Sequence, residues 1–265
     1  MSETSSQEDE LAGTEQPFVQ HLMELRDRLV KAMIAIGVAA ALLFLFPGPG
    51  ALYDFLAAPL VAHLPKGATL IATSVISPFM VPLKILLMSA FLLALPVVLW
   101  QLWAFIAPGL YSHEKKLVLP LVISSTVLFF IGVAFCYFFV FGQVFSFIQG
   151  FAPKSITAAP DIEAYLSFVL TMFLAFGMAF EVPIAVVVLA RMGVVSVEKL
   201  KSFRGYFIVI AFIIAAVVTP PDVVSQLALA VPMCLLYEVG IWAAQVFIKH
   251  TKAPEDAEET ASSSS

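Results

Sequence analysis

The stretch YLSFVLTMFLAFGMAFEVPIAVVVLA, Tyr165 to Ala190, decides the fold. It is 26 residues long and holds one ionisable side chain, Glu181. At about 1.5 Å rise per residue, a helix of that length crosses a hydrocarbon core of roughly 30 Å with room to tilt. A carboxylate inside such a run is expensive and has to face protein, water or a partner, so an intramembrane acid marks a working site by default. Pro183 follows two residues later; it lacks a backbone donor and bends the helix near the acid. The plainer alternative is a glutamate near one end of the span that reaches the headgroups.

Composition extends this reading to the whole chain. Hydrophobic residues are 61% and charged residues 12% of the sequence, about half the charged share of a soluble domain. A soluble enzyme would not expose so much apolar surface. The net charge of −5 says nothing for nucleic acid, because the acids cluster in the tails. Cys136 and Cys234 lie in apolar runs and read as packing residues. The four histidines have no metal-ligand spacing, so no metal site is expected.

Outward from Glu181, apolar runs and their breakers give an all-α integral membrane protein of six spans with the last two short. The spans fall at about 30–46, 79–106, 117–145, 165–190, 206–218 and 223–248. Residues 1–16 and 251–265 are acidic and Ser-rich and are expected to be disordered tails around a membrane domain of 17–250. Gly37 and Ala41 would let another helix approach the first span closely. Leu52, Phe55, Leu56 and Leu60 are spaced for a short surface helix that Pro59 bends or ends. Lys84 is expected to snorkel outward from the second span, and Trp100, Trp103 and Phe105 to form an aromatic belt. Eleven of the 14 Lys and Arg fall on one face, with the N-terminal side, the 107–116 and 191–205 loops and the C-terminal side. The positive-inside rule then puts both termini in the cytoplasm.

Two sets of polar residues need an explanation. On the inner face stand Glu24, on an amphipathic turn His21-Leu22-Met23-Glu24-Leu25-Arg26-Asp27-Arg28-Leu29, and Glu114. Taken singly they read as partners of nearby cations, Glu24 with Arg28 at i,i+4 spacing. At membrane depth stand Glu181, Glu238, Asp222 and Gln226, where Asp222 can also serve as the cap of the last helix. Glu181 is expected to face a concavity.

These residues resemble the TatC family, the multi-span subunit of the twin-arginine protein translocase. The resemblance is carried by the 21–29 stretch and by Ala58-Pro59-Leu60. It continues in Trp103-Ala104-Phe105-Ile106-Ala107-Pro108-Gly109-Leu110-Tyr111 with His113-Glu114, then in Phe180-Glu181-Val182-Pro183, and in Thr219-Pro220-Pro221-Asp222 with Ser225-Gln226. The order is kept over most of residues 17–248. The resemblance implies a receptor subunit of a bacterial inner membrane, not an enzyme, with no cofactor. It implies binding of Arg-Arg signal peptides and export of folded proteins with single-span TatB- and TatA-like partners, drawing on the proton gradient, and self-association. Carried over, Glu24, Arg26, Phe105 and Glu114 would bind the arginine pair. Glu181, Asp222 and Gln226 would form an intramembrane partner or translocation site, with Pro59 and Pro183 structural. Guanidinium suits this chemistry because its planar fork sets two hydrogen bonds on a carboxylate.

Without the resemblance, the Pro-interrupted spans and Glu181 also fit a proton- or cation-coupled small-solute transporter. Against that reading, the first and last three spans show no internal repeat. An intramembrane enzyme is the weakest reading, since no metal motif, nucleophile–base pair or phosphate loop is present.

Overall fold

A computed structural model describes residues 4–63, 71–106, 118–151, 161–219 and 222–249 of the chain. Ten α-helices and one π-helical turn account for nearly all of them: α1 (Thr4–Leu45), α2 (Pro49–His63), α3 (Ser77–Ile106), α4 (Val118–Phe135), α5 (Phe141–Phe151), α6 (Ile162–Phe180), α7 (Val182–Arg191), α8 (Val197–Ser202), α9 (Arg204–Val218) and α10 (Val223–Lys249). The π turn Cys136–Val140 joins α4 to α5 without a break. Five segments are long and apolar enough to cross a membrane: Gln20–Leu45, Ser77–Ile106, Leu119–Phe147, Ile162–Arg191 and Val223–Val246. Their outward faces are Leu, Ile, Val and Phe, which suits lipid as solvent.

Several expectations change. The backbone is helical from Thr4, so α1 takes in most of the acidic 1–16 stretch assigned to a disordered tail. Its Glu, Gln, Leu and Ala are good helix formers, and a helix needs no core to extend from an anchored span. The 251–265 tail lies outside the described residues. Of the last two spans only α9 is short, 15 residues, whereas α10 has 27. Pro59 does not end α2, which runs on to His63. A proline at 59 has no N–H for the carbonyl of Phe55, one turn back. That carbonyl instead accepts the Tyr137 hydroxyl at 3.2 Å, and the Tyr165 hydroxyl donates to the neighbouring Leu56 carbonyl at 3.2 Å. The π turn carries Tyr137, so α2 is tied to the third span where its own ladder is broken.

Small residues set the helix spacing, though not at Gly37. Around Gly37 nothing lies within 4 Å of where a Cβ would be. The close contact of α1 with α3 is made one stripe round, by Ala39 against Ala90 and Ala94. Elsewhere glycine is required. A Cβ on Gly132 would stand 2.5 Å from the Phe176 carbonyl oxygen, and one on Gly240 would stand 2.9 Å from Cα of Pro183. Both contacts are with backbone, which cannot step aside. The main core lies where α6 meets the π turn and α5, around Phe141, Val169, Met172 and Phe176.

A polar latch closes the side of the bundle opposite the Lys/Arg-rich loops. Asp161 caps α6 by accepting from the N–H groups of Glu163 (3.0 Å) and Ala164 (2.9 Å). Its other oxygen accepts from the Thr73 N–H (3.1 Å) and hydroxyl (2.7 Å). Glu163 takes the Ser77 hydroxyl and the Lys84 ammonium, each at 2.7 Å. Lys84 therefore does not snorkel; a carboxylate on α6 neutralises it at the start of the second span.

Two outcomes follow from these contacts. Gly240→Leu should lower thermal stability in detergent by about 1–3 kcal/mol, the usual cost of overpacking, while Gly37→Leu should leave it unchanged. Equal melting shifts for the two would contradict the packing described. The hydrogen bonds from Ala164 and Thr73 hold the Asp161 carboxyl below the usual carboxylate range. The stabilisation they give is therefore complete above about pH 4 and is lost as pH falls through the lowered folded-state value. The melting gap between the wild type and Asp161→Asn should be full at pH 7 and close in acid; a gap independent of pH would show that the charge on Asp161 does not hold the latch.

Candidate functional site

At the end of the bundle that carries Arg191 and the 191–205 segment, α1 passes beside the last turn of α3. His21 stacks on Phe105 with ring centroids 4.4 Å apart and planes 20° from parallel. Glu24 lies one turn further along the same face of α1, and Arg28 one turn beyond that. The Arg28 guanidinium donates from Nε (2.9 Å) and Nη2 (2.6 Å) to Glu24 Oε1, in half-buried surroundings. The helix face thus holds a carboxylate, a guanidinium on it, and an aromatic pair one turn away. Arg26 belongs elsewhere. Two residues along a helix is roughly 200° of rotation, and Arg26 pairs with Asp27 at 2.7 Å, its side chain 71% exposed. Arg28, not Arg26, is the residue in position to orient Glu24. Glu114 lies outside the described residues.

Glu181 occupies the single-residue joint between α6 and α7, with Pro183 in the first turn of α7. It stands ten residues from Arg191, the last residue of the span, which is about 15 Å of helix or half the hydrocarbon thickness. That distance rules out reaching the headgroups. The Ser125 hydroxyl on α4 lies near it. Ser125 is fully buried and accepts from the Trp103 indole Nε1 at 3.0 Å. Trp103 is therefore not part of a lipid-facing belt, although Trp100, 43% exposed, fits one. Glu181 Oε1 is buried with no hydrogen-bond partner among the described residues. A groove of about 550 Å³ between α4, α7 and α10 is lined by Phe180 and Pro183, the neighbours of Glu181, but not by Glu181 itself. The carboxyl sits beside the concavity rather than on its wall.

Asp222 and Gln226 form no common site with Glu181. Asp222 Oδ1 accepts the Ser225 N–H at 2.7 Å and so caps α10; the Gln226 amide donates to the Phe212 carbonyl at 3.4 Å. Gly240 of α10 rests on Pro183. Asp222 is 18 residues back along α10, about 27 Å, and Gln226 about 21 Å. The turn between α9 and α10 is a second polar cluster at the other membrane face, where Asp222 Oδ2 and Ser225 Oγ are buried without partners among the described residues. Glu238 is accounted for: the Arg204 guanidinium grips it with Nε and Nη2, each at 2.7 Å.

Sequence reasoning missed His21 and Ser125. His21 stands three residues before Glu24, and Ser124-Ser125-Thr126 is a polar triplet inside an apolar span; both are visible signals once helical faces are drawn.

Comparison with known proteins places this arrangement. Residues 20–232 match the family described as Sec-independent protein translocase protein (TatC). The chain is 53% identical over 232 residues to the TatC of Halothiobacillus neapolitanus, covering 88% of this chain and 63% of that longer protein. It is 47% identical to the Escherichia coli TatC, covering 88% of this chain and 90% of that one. A solved structure, the crystal structure of the twin-arginine translocase receptor TatC, superposes with a TM-score of 0.74 at 42% identity, over 85% of this chain and 98% of the other. An all-helical multi-span bundle, matched in sequence and in three dimensions over most of its length, is a subunit of a protein translocase and not an enzyme: the chain belongs to the TatC family.

Proposed function

We propose that this chain is the receptor core of a twin-arginine translocase in a bacterial inner membrane, with six crossings and both termini cytoplasmic. Glu24, together with Glu114, reads two consecutive arginines of a signal peptide at the cytoplasmic face, and Phe105 gives apolar contact to the segment that follows them. Single-span TatB- and TatA-like subunits, and further copies of this chain, complete the machine that passes folded proteins outward on the proton gradient. The observation that carries the reading is the Glu24–Arg28 pair. It supports a carboxylate already arranged to take a guanidinium fork in half-buried surroundings, where such bonds are stronger than at an open surface. A guest arginine would share or displace Arg28. The family's name as a protein translocase, and a solved relative described as a twin-arginine translocase receptor, weigh against small-solute transport.

Glu181 serves a different step in this proposal. Its unpaired buried oxygen is an acceptor in search of a donor at mid-membrane. A single-span partner with a polar residue at that depth would supply the donor. Asp222 and Gln226, at the outer turn, give such a helix a separate second contact.

Two measurements test these roles. A labelled Arg-Arg signal peptide should bind the purified complex at least about tenfold more tightly than its Lys-Lys counterpart, and Glu24→Gln should remove most of that difference, near 1.4 kcal/mol. His21→Ala should weaken binding by less, since it removes an aromatic stack on Phe105 and no carboxylate. Equal Arg-Arg and Lys-Lys binding would sink the receptor reading. Glu181→Ala should co-purify with less of its single-span partners, while signal-peptide binding persists; undiminished partner recovery would remove Glu181 from assembly.

A further inference from the structure

The groove between α4, α7 and α10 is not used by the function proposed above. It has a volume of about 550 Å³, within the range of ligand sites, roughly 300–1,000 Å³. Its walls are almost wholly apolar, and Ile131 and Val239 on its rim are exposed, so it opens to the outside of the bundle. Arg191 lines it at one end, together with Pro120 at the start of α4, and the segment that follows Arg191 carries Lys199, Lys201 and Arg204. Phe180 and Ile131 line it at the other end.

Length identifies the occupant. From Arg191 back to Phe180, and from Pro120 forward to Ile131, are eleven residues each, about 16 Å of helix. Half of a hydrocarbon core of roughly 30 Å is about 15 Å. The groove therefore runs from one membrane interface to the bilayer midplane and covers one leaflet. A transmembrane helix would need a track through both leaflets. An acyl chain is narrow and ends at the midplane. Its headgroup would lie at Arg191, whose planar fork matches a phosphodiester. Basic pockets between membrane helices at the cytoplasmic side suit anionic headgroups.

We propose that this groove is a binding site for one anionic phospholipid, its phosphate on Arg191 and an acyl chain along α7 as far as Phe180. The bound lipid fills the wedge between α4 and α10 that protein leaves open, and so supports α7 just beside the Glu181 joint.

The test uses the purified, delipidated full chain in neutral detergent, titrated separately with phosphatidylglycerol and phosphatidylcholine and read by native mass spectrometry. One phosphatidylglycerol should bind more tightly than the rest, with a preference over phosphatidylcholine of about fivefold or more. Arg191→Gln should abolish that preference and Arg191→Lys should keep most of it. Ala243→Phe, which fills the groove, should remove the tight site for both lipids, with Val187→Phe as a second filler should the first misfold. Retained preference in Arg191→Gln, or a tight lipid in both fillers, overturns the proposal. So does a photo-crosslinker at Val239 that captures, in native membranes, a single-span subunit or a second copy in place of lipid.

Discussion

Lipid offers no hydrogen bonds, so every polar group placed within the span must find its partner inside the protein. That constraint explains the contacts that hold this fold. Pro59 breaks the ladder of α2, and the Tyr137 hydroxyl turns to the Phe55 carbonyl left without its backbone donor. Lys84 enters the second span, and Glu163 comes to it from α6. Trp103 is buried, and its indole N–H goes to Ser125. Tyr237 stacks on Phe207 with centroids 4.0 Å apart and sends its hydroxyl to the Leu200 carbonyl at 2.8 Å, fixing α8 under α10. Each pairing joins helices distant in sequence, so the same demand that satisfies a polar atom also sets the tertiary arrangement. Glu181 Oε1 stands out against this pattern: it is buried at mid-span with no hydrogen-bond partner among the described residues.

Packing without a hydrophobic drive between helices needs close approach, and the chain achieves it with glycine and alanine where backbones meet. Gly240 against Pro183 is the informative case. The proline removes a donor from α7 and the glycine removes a side chain from α10, and the two helices touch at the level of Glu181. The bend and the contact are one feature, which places the glutamate at a joint backed by a rigid neighbour.

Long apolar helices were legible because such runs have few alternative structures; the run at 79–106 forms the helix Ser77–Ile106. Glu24 with Arg28 was also legible, because i,i+4 spacing on a helix leaves little else for two opposite charges to do. What was hidden depends on rotation and on partners far along the chain. Arg26 and Arg28 look equivalent in a list of residues and lie on opposite faces of a helix. Lys84 looked free because Glu163 is 79 residues away. Asp222 and Glu181 looked like one group because both are acids in apolar surroundings, yet Glu181 lies at mid-span beside Gly240 and Asp222 lies 18 residues away at the start of α10. Gly37 suggested a helix contact that Ala39 makes instead, since small residues occur on two faces of α1 and only packing selects between them.

The short α9 can be placed by the same reasoning. Its first residue, Arg204, grips Glu238, two residues before the Gly240 that rests on Pro183. From Glu238, α10 continues for eleven residues to Lys249, about 16 Å further along its axis. α9 therefore starts well inside the level that α10 reaches, and its 15 residues, about 22 Å, carry it to Thr219 beside the start of α10. The pair that marks its start is charged and about half exposed, at 47% for each side chain. Charged groups so exposed need water or headgroups around them. The side of the bundle formed by α8 and α9 consequently meets a polar boundary deeper than the side formed by α3 and α4.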